Sequence, residues 1–288
     1  MRDVSLRVEV VGSGPPLVLM HGGPSADHWT LSAFHRLADR HTLVFYDHRC
    51  NGHSAGPPVT SMTWENLTAD AEALRAGLGF GKWAVLGHSF GGHVALEYVL
   101  RYPDSVSHLV LLDTGGDSRW PRENAPRLLA ERGYPPAKVE LLRRWFTGQF
   151  TPAEYFPIFL RIGGIYDHRP LLGAFRSLTH GAWRTKARPE ALIFAGRTLL
   201  NGWTVLDRLA EIEVPALVLA GRSDVLFPPE AQQELAAGIP HARRQLVERA
   251  GHNPHDEQTA EVMRAVRTFL ASPPGDHPPG SRENPTAW

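Results

Sequence analysis

The chain has 288 residues, 42% of them apolar, so it can bury a sizeable core as one domain with at most a substantial insertion. Its 30 basic and 30 acidic side chains cancel, which excludes a global field drawing it to nucleic acid or an anionic membrane and favours a small-molecule partner. A single cysteine, Cys50, excludes an intrachain disulfide framework and a cysteine-based zinc cluster.

In chain order, Ser5 to Val10 alternate polar and apolar residues like a half-buried strand, without the apolar stretch of a secretory signal. No segment approaches the roughly 20 apolar residues that cross a bilayer, so a cytoplasmic protein without membrane contact is expected. Buried strands are read at "LVLM" (17–20), "TLVFY" (42–46), "WAVLG" (83–87), "HLVLLD" (108–113) and "ALVLAG" (216–221), with a last strand near "RRQLVE". Between them, "WTLSAFHRLAD", "WENLTADAEALRAGL" and "FGGHVALEYVLRY" repeat apolar residues at helical spacing. Thr63 is placed to cap the second of these, and the third should stop before Pro103. With an early strand pair and a closing helix from about His255 to Leu270, the reading is an α/β fold. Its mainly parallel sheet has eight strands and helices on both faces.

The alternation breaks between Thr114 and about Leu209. Residues 115–209 are read as a helical cap inserted into a discontinuous core of 1–114 and 210–271, and they carry 15 Lys and Arg against 8 Asp and Glu. Residues 272–288, rich in Pro and Gly, are expected to form an unstructured tail.

In "VLGHSFGGHVAL" (85–96) a strand stops at a serine flanked by glycines and a helix begins. This is G-x-S-x-G in its strand, turn, helix setting, a nucleophile elbow that projects Ser89 over the carboxyl edge of the sheet. The helix start and the backbone N–H of Phe90 would face a developing oxyanion. A serine needs a base held by a third group, in the chain order Ser, acid, His. Asp224 follows the strand "ALVLAG" and His252 follows a strand-like run, so both reach the same edge. Asp113, which also ends a strand, is the rival acid. His255 is expected on the surface of the closing helix, and His88 and His93 are expected to pack or face solvent. Asp256 and Glu257 should open the closing helix. The loop "HGGPSADHW" supplies His21, Gly22, Gly23 and Pro24, with the N–H of Gly23 as second oxyanion donor.

These residues resemble the α/β-hydrolase superfamily over nearly the whole chain. "HGGP" followed by "YDHRCNGHS" is similar to the proline iminopeptidase branch, which carries HGGPG and D-x-R-G-x-G-x-S. The resemblance implies a serine hydrolase that forms an acyl-enzyme and needs no metal or organic cofactor. The chain departs from the pattern at Ser25 and Cys50, where glycines are expected, and at His88 and Phe90, where Gly and Trp are usual. An aminopeptidase holds its substrate amine with cap carboxylates, whereas this cap is arginine-rich unless Glu123, Glu131, Glu140, Glu154 or Glu190 lines the pocket. That balance points to a small ester or lactone. The alternatives are an aminopeptidase of the iminopeptidase type, a carbon–carbon bond hydrolase and a non-catalytic small-molecule receptor.

Overall fold

In a computed structural model the chain is described over residues 3–171, 173 and 185–272. Its apolar runs form β1 (Val8–Val11), β2 (Pro16–Met20), β3 (Thr42–Tyr46), β4 (Trp83–His88), β5 (Val106–Leu112), β6 (Ala216–Gly221) and β7 (Ala242–Val247). They pair in the order β1-β3-β2-β4-β5-β6-β7. β1 runs antiparallel to β3, and every other pairing is parallel.

The expected eighth strand is not among the described residues. The early strand pair is a single short edge strand, because the chain before it makes only an isolated bridge, Ser5 to Ala55, instead of a second ladder.

The period of two along each strand divides the core. Val18 and Met20 pack with α1 (Trp64–Gly77) and α2 (Phe90–Arg101) on one face. Leu17 and Leu19 pack on the other with Leu31, Phe34 and Leu37 and with the C-terminal helix. Both faces are therefore covered, as buried parallel strands require. The segment expected as the first helix is a 3-10 helix, His28–Leu37, capped by Asp27, whose side chain accepts from Trp29 N. Thr63 caps α1 by accepting from Asn66 N.

Between β5 and β6 the chain forms α3 (Ala125–Glu131), α4 (Pro136–Thr147), α5 (Tyr155–Ile162) and α6 (Pro189–Phe194). An isolated bridge between Asp117 and Thr204 ties the two ends of this segment together. Its own cluster, including Leu129, Leu142, Trp145 and Ile162, packs against Val225, Leu226 and Phe227 just past β6.

After α7 (Pro229–Gly238) and β7, the closing helix is broken in two. A short α8 (Pro254–Glu257) holds Asp256 and Glu257, and α9 (Thr259–Leu270) follows beyond Gln258. Of the expected tail, only Ser272 is among the described residues. No described helix is long and apolar enough to cross a membrane.

Candidate active site at the carboxyl edge of the sheet

The turn from β4 into α2 forces Ser89 into a left-handed backbone, φ 53° and ψ −119°. Only a well-anchored site holds such a conformation. Ser89 N donates to Leu112 O at 3.0 Å, and the Thr114 hydroxyl donates to Ser89 O at 2.8 Å, so the end of β5 clamps the turn. A side chain at Gly91 would collide with the carbonyls of Met20 and His21, so α2 can start against β2 only with glycine there.

His252 and Asp224 reach the serine from loops beyond β7 and β6. The Ser89 hydroxyl lies 3.0 Å from His252 Nε2, and His252 Nδ1 lies 2.8 Å from Asp224 Oδ2. Asp224 Oδ1 accepts from Leu226 N at 2.8 Å. With its ring N–H committed to the carboxylate, Nε2 is left to accept from the serine. Asp224 and His252 are buried, while Ser89 keeps partial exposure. Asp113 is buried behind Asp224 and accepts from Gly221 N at 2.9 Å.

The loop after β2 passes directly over this turn. A Cβ on Gly22 would stand 2.8 Å from His88 Nδ1 and 3.0 Å from Ser89 Cβ. The ring of His21 bonds Gly22 O at 2.9 Å and accepts from His48 N at 3.1 Å. Gly23 has φ 60°, and its carbonyl accepts from Ser25 N and Ala26 N, closing a tight turn around Pro24. Phe90 is the first residue of α2, where an N–H has no acceptor within the helix.

The α/β-hydrolase fold family model matches residues 15–259. The chain belongs to that family. It is 27% identical over 264 residues to the proline iminopeptidase PfmaB of Pestalotiopsis fici, covering 89% of this chain and 92% of that one. An esterase from Exiguobacterium antarcticum superposes with a TM-score of 0.74 at 22% identity, covering 93% of this chain and 96% of that chain. The proline iminopeptidase of Mycobacterium smegmatis superposes with a TM-score of 0.72 at 23% identity, covering 93% and 95%. The chain is a hydrolase resembling the proline iminopeptidases.

Three histidines differ from their sequence reading or refine it. His255, expected on the surface, is buried: it stacks on Phe34 with centroids 5.6 Å apart and bonds Thr30 O at 3.0 Å. The cause is the short turn of α8, which aims the ring inward at the 3-10 segment rather than along a surface helix. His88 is also buried and donates from Nε2 to His252 O at 2.9 Å, with burial holding it far below the ordinary imidazole range. His93 is walled in by Trp203 and Phe227, and burial lowers it to about 3.

Other supports of the histidine loop were not found from sequence. Glu257 accepts from Gly251 N at 2.7 Å and from His168 N at 2.9 Å, and Tyr166 O accepts from His252 N at 2.6 Å. Glu257 carried a signal, an acid five residues past the histidine at a helix start; Tyr166 acts through its backbone and carried none.

The family's two glycine positions behave differently. Cys50 adopts φ 63°, so the backbone keeps the glycine-like conformation under a different side chain. Ser25 instead gains a contact: its hydroxyl lies 3.0 Å from that of Tyr155 on α5. Its carbonyl accepts from Arg188 N at 2.8 Å, and Asp27 accepts from Lys186 N at 2.8 Å. The segment between β5 and β6 is therefore fastened to the glycine loop.

Among the described residues, Asp113, Asp224 and His252 are a set whose donor atoms gather within 4.8 Å. They are engaged with one another and with backbone N–H groups, so a metal ion there would have to displace the His252–Asp224 hydrogen bond. A separate cavity of about 620 Å³ in the overlying segment is lined by Arg122, Arg144, Arg197 and Glu154 and by none of these three.

Proposed function

We propose that the chain is a serine hydrolase of small esters or lactones that works through an acyl-enzyme. Ser89 attacks the carbonyl carbon while His252 takes its proton, and Asp224 holds the imidazole and stabilises its cation. The backbone N–H groups of Gly23 and Phe90 receive the oxyanion, with His21, Gly22 and Pro24 fixing the loop. His252 then returns the proton to the departing alcohol, and the same groups activate the water that frees the acid. The observation that carries this reading is the continuous hydrogen-bonded line from Ser89 through His252 to Asp224, whose only partly exposed member is the nucleophile.

Residues 115–209 serve in this proposal as a cap that selects the substrate, set on a core of 1–114 and 210–271. A small neutral or anionic molecule of the cytoplasm suits the chain better than nucleic acid or a membrane surface. No cofactor is required.

The second reading is an aminopeptidase, favoured by the curated relatives that bear the name proline iminopeptidase. The cap acids weigh against it. Glu131, Glu140 and Glu190 are exposed and paired with Arg127, Arg143 and Arg188, Glu123 is exposed, and the half-buried Glu154, which lines the separate cavity, is already paired with Arg144. None of the five is a buried carboxylate kept for a substrate ammonium.

The test is labelling with a fluorophosphonate, followed by turnover of short-chain p-nitrophenyl esters, lactones and aminoacyl amides. Ser89→Ala should abolish labelling and cut ester turnover at least about 10⁴-fold. Unchanged turnover would sink the proposal. Cleavage of prolyl amides without esters would install the second reading. Turnover only of vinylogous diketones would mark a carbon–carbon bond hydrolase, and a single labelling event without turnover a receptor.

A further inference from the structure

Behind the Ser89–His252–Asp224 line lies a second carboxyl group that the proposed reaction does not use. Asp113 stands just past β5 with a left-handed backbone, φ 44°, and its N–H donates to Leu219 O at 3.0 Å. The side chain is fully buried: Oδ1 accepts from Gly221 N, and Oδ2 is sealed from solvent without a hydrogen-bond partner. Its donor atom lies within 4.8 Å of those of Asp224 and His252. The charged or titratable groups around it are Asp224, His252 and Glu257.

Two carboxylates cannot both stay ionised this close together away from water, since burial and like charge each penalise the second negative charge. The donors decide which one keeps the proton. Asp224 accepts two N–H groups, from Leu226 and His252, whereas Asp113 accepts one, from Gly221. Hydrogen bonds to the ionised form favour ionisation, so the charge belongs on Asp224.

We propose that Asp113 is a positioning residue that remains a neutral carboxylic acid, turns its O–H toward the Asp224 carboxylate and so keeps that carboxylate ionised and aimed at His252. This rests on the serine-hydrolase reading for its consequence in turnover, but the protonation of Asp113 stands apart from it. Burial first, and the Asp224 charge second, push the Asp113 carboxyl well above the usual carboxylate range. The unpartnered Oδ2 then has a use: it carries the proton, and a small rotation points it at the neighbouring acid.

The decisive comparison is Asp113→Ala against Asp113→Asn in the full chain, assayed on the ester that responds to Ser89. Losing a hydrogen bond to a charged group should lower kcat about tenfold in Asp113→Ala, with KM nearly unchanged. Asp113→Asn keeps a neutral N–H donor for Asp224 and a carbonyl for Gly221 N, so it should recover most of that loss. If the asparagine variant is as slow as the alanine variant, Asp113 acts as a carboxylate and the proposal is wrong; it is equally wrong if the alanine variant turns over at the wild-type rate.

Infrared spectra in D2O near pH 7 give a reading independent of folding losses and of turnover. The wild type should show a protonated-carboxyl C=O band that Asp113→Asn lacks, and its absence from the wild type overturns the assignment. Should Ser89→Ala retain full activity while this band persists, the serine-hydrolase reading fails and the protonated Asp113 survives.

Discussion

The sheet edge and the segment spanning it are held by different forces. At the edge, the polar groups are buried and each interaction has a fixed geometry: Arg49, without solvent exposure, grips both oxygens of Asp70 at 2.6 and 2.7 Å. Asp47 accepts from His28 N, the His28 ring and His53 N at 2.9, 2.6 and 2.7 Å. Over the edge, surface arginines meet glutamates in water, as Arg127 meets Glu131 and Arg143 meets Glu140. Buried pairs are costly to break and exposed ones contribute little. The edge can therefore hold three side chains in register, while the segment over it can vary its surface charges at little cost in stability.

The strongest way to break this contrast is at the proposed base, His252. His252→Ala should lower kcat by about 10⁴-fold or more, and combining it with Ser89→Ala should add little, because in the proposed mechanism the two act as a unit. Steady-state kinetics of the singles and the double check this, and additive losses would mean that they do not work together.

Arg49→Ala tests the staple beneath the edge. It leaves Asp70 buried without its bidentate partner, and urea unfolding should register a loss of about 3 to 5 kcal/mol.

Asp47 gives the contrast a pH signature. Burial alone would raise its carboxyl, but the hydrogen bonds from His28 and His53 outweigh it and hold the group at about 2, against the usual 3.8. A depressed carboxyl stabilises the fold at pH values above the unfolded pKa and loses that contribution as pH falls through the folded one. Asp47→Asn should therefore cost about 2 kcal/mol near neutral pH. The gap to the wild type should close between pH 4 and pH 2, as followed by unfolding curves across that window. A gap that is constant with pH would show that packing rather than charge is at stake.

The smallest effect is expected in the overlying segment. Arg127→Ala should change stability by less than about 0.5 kcal/mol and leave ester kcat as it was. A loss comparable to that of Arg49→Ala would erase the distinction between the two regions.

Much of the edge was legible because its residues follow apolar runs directly. Ser89 comes straight after β4, and Asp224 and His252 follow strand-like runs, so parallel strands carry all three to one side. What escaped depended on partners far away in the chain. The burial of His255 requires Phe34 and Thr30; the bridge from Ser25 requires Tyr155; the clamp on the elbow requires Thr114. The strand count failed at the amino terminus for a related reason: alternation predicts a strand, but only neighbouring chain decides whether it finds a ladder or a single bridge. Cys50 is an intermediate case. Its left-handed backbone was implied by the family's glycine after Arg49, yet nothing in the residue itself announces it.

Sequence alone determined the layered architecture, because side-chain period and glycine placement are local properties that a strand or a tight turn obeys wherever it lies. It also determined which residue types could meet at the carboxyl edge, since parallel strands all end on the same side. Only the tertiary structure decided which of two buried acids faces the imidazole and what anchors the loop that carries it. Those outcomes depend on distances of a few ångströms between loops that different strands deliver to the edge, where the placement of each carboxylate relative to the imidazole and the backbone N–H groups, and not residue type, selects the partner.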